Sequence, residues 1–131
     1  METVKLAIVG SRSFDNYATL KRVIEGIHDK YDYEWDSVIS GGARGADYLG
    51  EKYADEFVID KVIYKAEWDK YGKRAGFIRN EYIIRDCDVC ICFWDGESHG
   101  TKHDIELCEK MHKKCFVYNY IQKTLTLFEN K

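Results

Sequence analysis

The chain has 131 residues, of which 45% are hydrophobic and 33% charged, with 20 Lys and Arg against 23 Asp and Glu for a formal net charge of −3. This is the length of one domain with enough apolar material for a core, so disorder as the default state is excluded. The acidic balance lacks the broad basic footprint through which non-specific duplex binders gain affinity from phosphates, so any nucleic-acid role would need a local patch.

Residues 4–9 form a short apolar run ending at Gly10, the pattern of a strand buried on both faces. Its apolar stretch from Leu6 to Val9 is too short for a signal-peptide core or a bilayer span, so no membrane association is expected. Tyr17, Leu20, Ile24 and Ile27 follow at helical spacing. Val38 and Ile39 then lead into Ser40, Gly41 and Gly42, after which Ala46, Leu49, Tyr53, Ala54 and Phe57 restore the three-to-four period. A third strand is expected over 61–64, a loop over 68–74, and a helix over 75–85 with Ile78 and Tyr82 on one face. A fourth strand spans 89–94, and Gly100 or Thr101 opens a helix that turns Ile105, Cys108 and Met111 inward. Residues 115–118 make a fifth strand, and the tail through Leu125 and Phe128 is ambiguous.

The five cysteines are an odd number, and Cys90 and Cys92 share one face of the fourth strand, the position of small core residues. Cys87, Cys108 and Cys115 read the same way. A secreted disulfide framework is not the expectation; a reducing, cytoplasmic setting is. Strands read as runs and separated by helices predict a Rossmann-like, doubly wound, three-layer α/β domain with a parallel sheet of about five strands, formed by 1–131 as a single unit.

In such a sheet ligands sit beyond the carboxyl ends of the strands, where strand order reverses. After the first strand, Gly10 lets backbone approach a ligand, Ser11 follows, and Arg12 can fork onto an anionic oxygen. After the second, Ser40, Gly41, Gly42, Ala43, Arg44, Gly45, Ala46 and Asp47 form a glycine-rich turn opening a helix, suited to a phosphate through backbone N–H groups and the helix N-terminal charge. After the fourth, Trp94 leads into Asp95, Gly96, Glu97, Ser98, His99, Gly100 and Thr101, where Thr101 can cap a helix or offer its hydroxyl. The third helix brings Lys73, Arg74, Arg79 and Asn80 near its start, with Trp68 and Tyr71 available to stack on a ring. Neither G-x-x-x-x-G-K-[ST] nor G-x-G-x-x-G occurs, which removes ordinary P-loop and dinucleotide-dehydrogenase readings.

Taken in order, these runs resemble the YspA-like branch of the SLOG superfamily: Gly10, Ser11, Arg12 and Phe14; Ser40 through Asp47; Trp68, Tyr71, Gly72, Lys73, Ala75, Gly76, Arg79 and Asn80; and Phe93 through Gly96 with Ser98, Gly100 and Thr101. The likeness covers about residues 5–115. It implies a small nucleotide-binding or sensing domain that holds a nucleoside phosphate or an ADP-ribose-like molecule. The implied contacts are Gly10, Ser11, Arg12, Ser40, Gly41, Gly42, Arg44, Gly45, Asp47, Arg79, Asn80, Trp94, Gly96, Ser98, Gly100 and Thr101, with no cofactor. The branch is related to the DprA and LOG families. LOG enzymes hydrolyse the N-glycosidic bond of nucleoside monophosphates, using an arginine and the glutamate of a P-G-G-x-G-T-x-x-E motif. Here Asp104 stands where that glutamate belongs and the proline is missing, so the alternative reading is a phosphoribohydrolase-type enzyme with Asp104 and Arg79 catalytic. Either carboxylate can stabilise an oxocarbenium-like centre, although aspartate reaches one methylene less far. DprA-like binding of single-stranded DNA is disfavoured by the net charge, and the LOG relationship brings a homodimer into view.

Other constellations carry less. His99 and His103 are four apart, but no third ligand stands at suitable spacing, so no metal site is expected and both read as surface histidines. Ser40 lacks a G-x-S-x-G elbow and reads as a ligand contact rather than a nucleophile. Glu25, Asp29, Glu51, Asp55, Glu56, Glu106 and Glu109 read as solvated charge on helix faces opposite apolar ones.

Overall fold

In the computed structural model, which describes residues 1–129, the chain runs β1 (Glu2–Gly10), α1 (Tyr17–Tyr31), β2 (Tyr33–Ser40), α2 (Ala46–Glu56), β3 (Asp60–Ile63) and α3 (Trp68–Tyr71). A 3-10 turn (Gly72–Arg74) follows, then α4 (Ala75–Asp86), β4 (Val89–Trp94), α5 (His99–Lys110), β5 (Lys114–Asn119) and β6 (Thr124–Phe128). Asn130 and Lys131, part of the expected single unit, lie outside the described residues.

The strands that read as unbroken apolar runs occupy the middle of the sheet, whose order is β3-β2-β1-β4-β5-β6. β1 pairs in parallel with both β2 and β4, so Leu6 sits opposite Val38 on one side and Val89 on the other. Its alternate residues feed two cores. Leu6 and Ile8 pack with Leu20, Ile24 and Ala54 beneath α1 and α2, whereas Ala7 and Val9 pack with Ile83, Ile84, Leu107 and Cys108 beneath α4 and α5. Helices on both faces are what a strand without polar alternation requires, because neither face can meet water without cost. The doubly wound, three-layer α/β expectation is met, and β1 and β4, where strand order reverses, are neighbours.

Several details differ from the sequence reading. The ambiguous tail is a sixth strand, antiparallel to β5, so the sheet has five parallel strands and one antiparallel edge. The segment 68–74 is helical rather than a loop, because the Glu67 carbonyl accepts the Lys70 and Tyr71 amides and Gly72 ends that turn at φ +59°. The buried side of α4 is Ala75, Asn80, Ile83 and Ile84; Tyr82 is exposed and stacks on Tyr64. In α5, which starts at His99, the inward residues are Thr101, Asp104, Leu107 and Cys108, with Ile105 and Met111 only partly buried. Phe57, just past α2, is exposed.

Two helical glycines give a test of opposite sign. A Cβ at Gly50 of α2 would come within 2.8 Å of the side chain of Ile8, which is fully buried and cannot retreat, whereas a Cβ at Gly26 of α1 meets nothing within 4 Å. Gly50→Ala should therefore destabilise by about 1–3 kcal/mol despite alanine's better helix propensity. Gly26→Ala should stabilise by roughly 0.5–1 kcal/mol. Urea unfolding midpoints measure both, and equal signs would contradict the packing described.

Candidate functional site

The loops after β1, β2 and β4 meet at one edge of the sheet and, with α4, enclose a cleft of about 790 Å³. Ser11 ties them together. Its amide donates to the Phe93 carbonyl (2.9 Å), its carbonyl accepts the Ala46 amide (3.3 Å), and its hydroxyl oxygen accepts the Ser98 hydroxyl (3.0 Å) and the Asp95 amide (3.3 Å). Gly45 makes this approach feasible: at φ +82°, a Cβ there would stand 2.4 Å from the Ser11 carbonyl oxygen. Gly10 does the same on the other flank, where a Cβ would lie 2.3 Å from the Phe93 carbonyl oxygen.

The glycine-rich turn after β2 is organised around its own carboxylate. Asp47 accepts the Gly41 amide at 3.0 Å and also the Ala43 amide, while the Ser40 hydroxyl accepts the Gly42 amide (3.2 Å) and donates to Glu51 (2.9 Å). The Gly41, Gly42 and Ala43 amides are thus engaged within the turn rather than pointing outward, and Glu51 is a partner of Ser40 rather than solvated charge. Ser40, Gly41, Gly42 and Gly45 shape the site from behind, and Ala43, Arg44 and Asp47 reach the cleft.

The turn after β4 leaves a helix end open. Asp95 accepts the Glu97 and Ser98 amides, both at 2.8 Å, and the Ser98 hydroxyl at 2.9 Å. Burial pushes the Asp95 carboxyl up, but these donors outweigh it and hold the group below its ordinary value. With its hydroxyl committed to Ser11 and Asp95, Ser98 does not cap α5. The first-turn amides of α5 therefore have no side-chain cap, and Gly100 and Thr101 line the cleft. Trp94 and Gly96 do not: the Trp94 indole N–H donates to the Ser98 carbonyl (3.1 Å), and Gly96 turns the chain at φ +88° beside Asn119.

Four polar side chains form the floor, Asp47, Asn80 and Asp104 buried and Arg79 partly so. Arg79 donates from Nη1 to the Gly41 carbonyl (3.3 Å), leaving its buried Nε without a partner, and Asp104, only 4% exposed, has an unpartnered Oδ1. Burial raises the Asp47 carboxyl from 3.8 to about 6, against the opposing pull of the Arg79 charge and the two loop amides. Burial lifts Asp104 well above the ordinary range, and the Asp47 charge adds to it. Burial thus biases Asp104 towards its protonated form, in which it can donate a hydrogen bond or a proton, while Asp47, near 6, is mostly ionised at pH 7. Asn80, also buried, bonds to His103 Nδ1 at 3.2 Å. His103 is half-buried, and burial lowers its pKa, so it differs from the surface histidine expected; His99 is exposed.

Arg12, Arg44 and Lys73 line the same cleft and, among the described residues, make no ion pair. Four cationic side chains there, counting Arg79, face the three carboxyls of Asp15, Asp47 and Asp104, so the cleft is locally positive on an acidic chain. Ser13, Asp15, Gly76 and Phe77 also line it and were not among the ligand contacts expected from the sequence. Phe77 looks like any apolar residue in a helical period; only the orientation of α4 reveals its role.

The cysteines lie elsewhere. All five are buried and free, and the sulfurs of Cys90, Cys108 and Cys115 stand within 4.8 Å of one another. Contacts with neighbouring thiols and burial raise Cys90 well above the usual value, and burial pushes Cys87 to about 12. These sulfurs sit among Ala7, Ile83 and Leu107, as packing residues do. No helix among the described residues is long and apolar enough to cross a membrane.

A family model described as YspA, cpYpsA-related SLOG family matches residues 4–71, a segment carrying the first two loops, with Arg79 and the α5 end beyond it. Gene 61 protein of Mycobacterium phage D29 is 37% identical over 79 residues, covering 56% of this chain and 63% of that protein. The match thus spans less than two thirds of the relative's length. No solved structure matches the chain.

The raised carboxyls give a pH test. Between 3.8 and about 6 the folded state holds a proton on Asp47 that the unfolded chain has released, so stability from this group is lost as pH rises through that window. An Asp47→Asn variant should gain on the wild type by up to roughly 3 kcal/mol between pH 4 and 7, read from urea unfolding at a series of pH values. Asp104→Asn should gain in the same direction, because burial raises that carboxyl too. A constant difference across the range would contradict the assignment.

Proposed function

This chain belongs to the YspA, cpYpsA-related SLOG family, and we propose from that premise that its cleft binds a phosphate-bearing nucleotide or a small molecule derived from one. The observation that carries the reading is the meeting of three loops on one locally positive cleft that ends at an uncapped helix terminus. An anion there gains the partial positive charge and free amides of α5 around Gly100 and Thr101. Arg12, Arg44 and Lys73, which have no ion-pair partner within the fold, supply charge-assisted contacts. Arg79 Nε and Asp104 Oδ1, buried and unpartnered, favour a polar ligand because each costs free energy until it is satisfied. Gly10, Ser11, Asp47, Asn80 and Ser98 complete the wall, and the remaining turn residues hold it in shape. On this reading the protein is a binding or sensing module that needs no cofactor.

A second reading is favoured by one specific observation: two buried carboxyls share the cleft with Arg79, and burial raises both, Asp47 to about 6 and Asp104 well above its ordinary value. A raised carboxyl is what general acid catalysis near neutral pH requires. In a nucleoside-monophosphate hydrolase Asp104 would protonate the departing base and take a proton back from the water that adds to the sugar, with Arg79 steadying the anionic end of the substrate.

Calorimetric titration with nucleoside monophosphates and ADP-ribose tests the first reading. Arg12→Ala and Arg44→Ala should each weaken binding by about tenfold, and added salt should weaken it further. Absence of heat with every phosphate compound, or indifference to both arginines, would sink it. Chromatography for free base after long incubation tests the second. Release that disappears in Asp104→Asn supports hydrolysis, and binding without release leaves the sensor.

A further inference from the structure

We propose that the molecule in the cleft carries a planar heteroaromatic base held against Trp68 and Phe77, so that it is a complete nucleotide rather than a sugar phosphate. This rests on the phosphate reading above and adds the other half of the ligand. Trp68 and Phe77 are each 50% exposed, yet both line the cleft that also holds the unpaired cations. Large aromatics half in water inside a concave, otherwise polar site are unexplained by the core, since neither belongs to either hydrophobic cluster.

The local geometry keeps both rings available. Phe77 is held from one side by the His103 ring, edge-on at 4.6 Å and 85°, and His103 is itself anchored by the buried Asn80. Trp68 lies over Gly76: a Cβ placed on Gly76 would touch the indole Cη2 at 3.4 Å and Arg79 Nη2 at 3.8 Å. Gly76 therefore joins the indole, the start of α4 and the Arg79 guanidinium into one continuous surface. Among the described residues Trp68 has no ring or cation partner, and its indole N–H is bonded to no group of the protein. Lys73, in the 3-10 turn directly after the helix that carries Trp68, also lines the cleft, so adjoining turns offer a stacking surface and a phosphate cation. Base–aromatic stacking tolerates any base because every base presents a π-face. The chemistry selected is thus a nucleobase, with its identity left to polar groups such as Asn80.

Titrations with AMP, GMP, CMP and UMP, each compared with ribose 5-phosphate, test this. The best-bound nucleotide should exceed ribose 5-phosphate by about tenfold or more, and Trp68→Ala and Phe77→Ala should each remove about tenfold of its affinity. Ribose 5-phosphate should bind all variants within twofold, and Trp68→Phe should restore most of the loss, which a damaged fold would not allow. Binding should also quench tryptophan emission in the wild type and not in Trp68→Phe. If ribose 5-phosphate binds as tightly as every nucleotide, or the aromatic variants bind nucleotides unchanged, the base-stacking proposal is overturned while the phosphate reading survives. If neither these five compounds nor ADP-ribose binds the wild type, both fall together.

Discussion

The arrangement depends on the packing of Ser11 between three chain segments. Its amide, carbonyl and hydroxyl reach β4, the start of α2 and the turn before α5, and it is buried while doing so. Each bond is ordinary and worth about 1 kcal/mol net, but together they fix where three strand ends point. They also require glycine on both sides, because side chains at Gly10 or Gly45 would collide with the carbonyls that make the junction. A serine there is small enough to be enclosed and has polar atoms enough to serve every neighbour, which ties sequence, junction and cleft in one residue.

A second constraint is electrostatic. The chain is acidic as a whole, and its cleft inverts that sign by two different devices. Arg12, Arg44 and Lys73 have no ion-pair partner among the described residues, and two of the cleft's three acids, Asp47 and Asp104, are buried, which raises both carboxyls, Asp47 being further occupied by backbone donors. Burial of Asp47 and Asp104 costs stability that a purely structural turn would not need to spend. Strained or costly groups gathered at one concave place are the usual mark of a site shaped for something other than folding.

Much of this was legible in the chain. Runs such as Leu6 to Val9 and Val89 to Trp94 announce strands covered on both faces, and the glycine turns at Gly41, Gly45 and Gly100 mark the strand ends where a doubly wound sheet keeps its ligand. What escaped was set by orientation. Ile78 and Tyr82 fit the helical period as well as Ile83 and Ile84 do, and only docking of α4 against β1 decides which pair is inside. Likewise Phe77 and Trp68 read as core or loop residues until the cleft exposes them. The inward-facing amides of Gly41 and Ala43 follow from Asp47 folding back over its own turn, a tertiary preference that spacing does not encode. β6 was ambiguous because an edge strand with one half-covered face shows neither a clean run nor a strong alternation.

The five thiols, finally, give the fold its own clock. Each is at most 1% exposed on the side of the sheet covered by α4 and α5, and none lines the cleft. An alkylating reagent can therefore reach sulfur only when those helices lift off, and burial keeps Cys87 in its unreactive protonated form until they do. Capture of the chain by such a reagent counts openings of the helical layer, and whatever slows it from within the cleft does so by holding that layer closed.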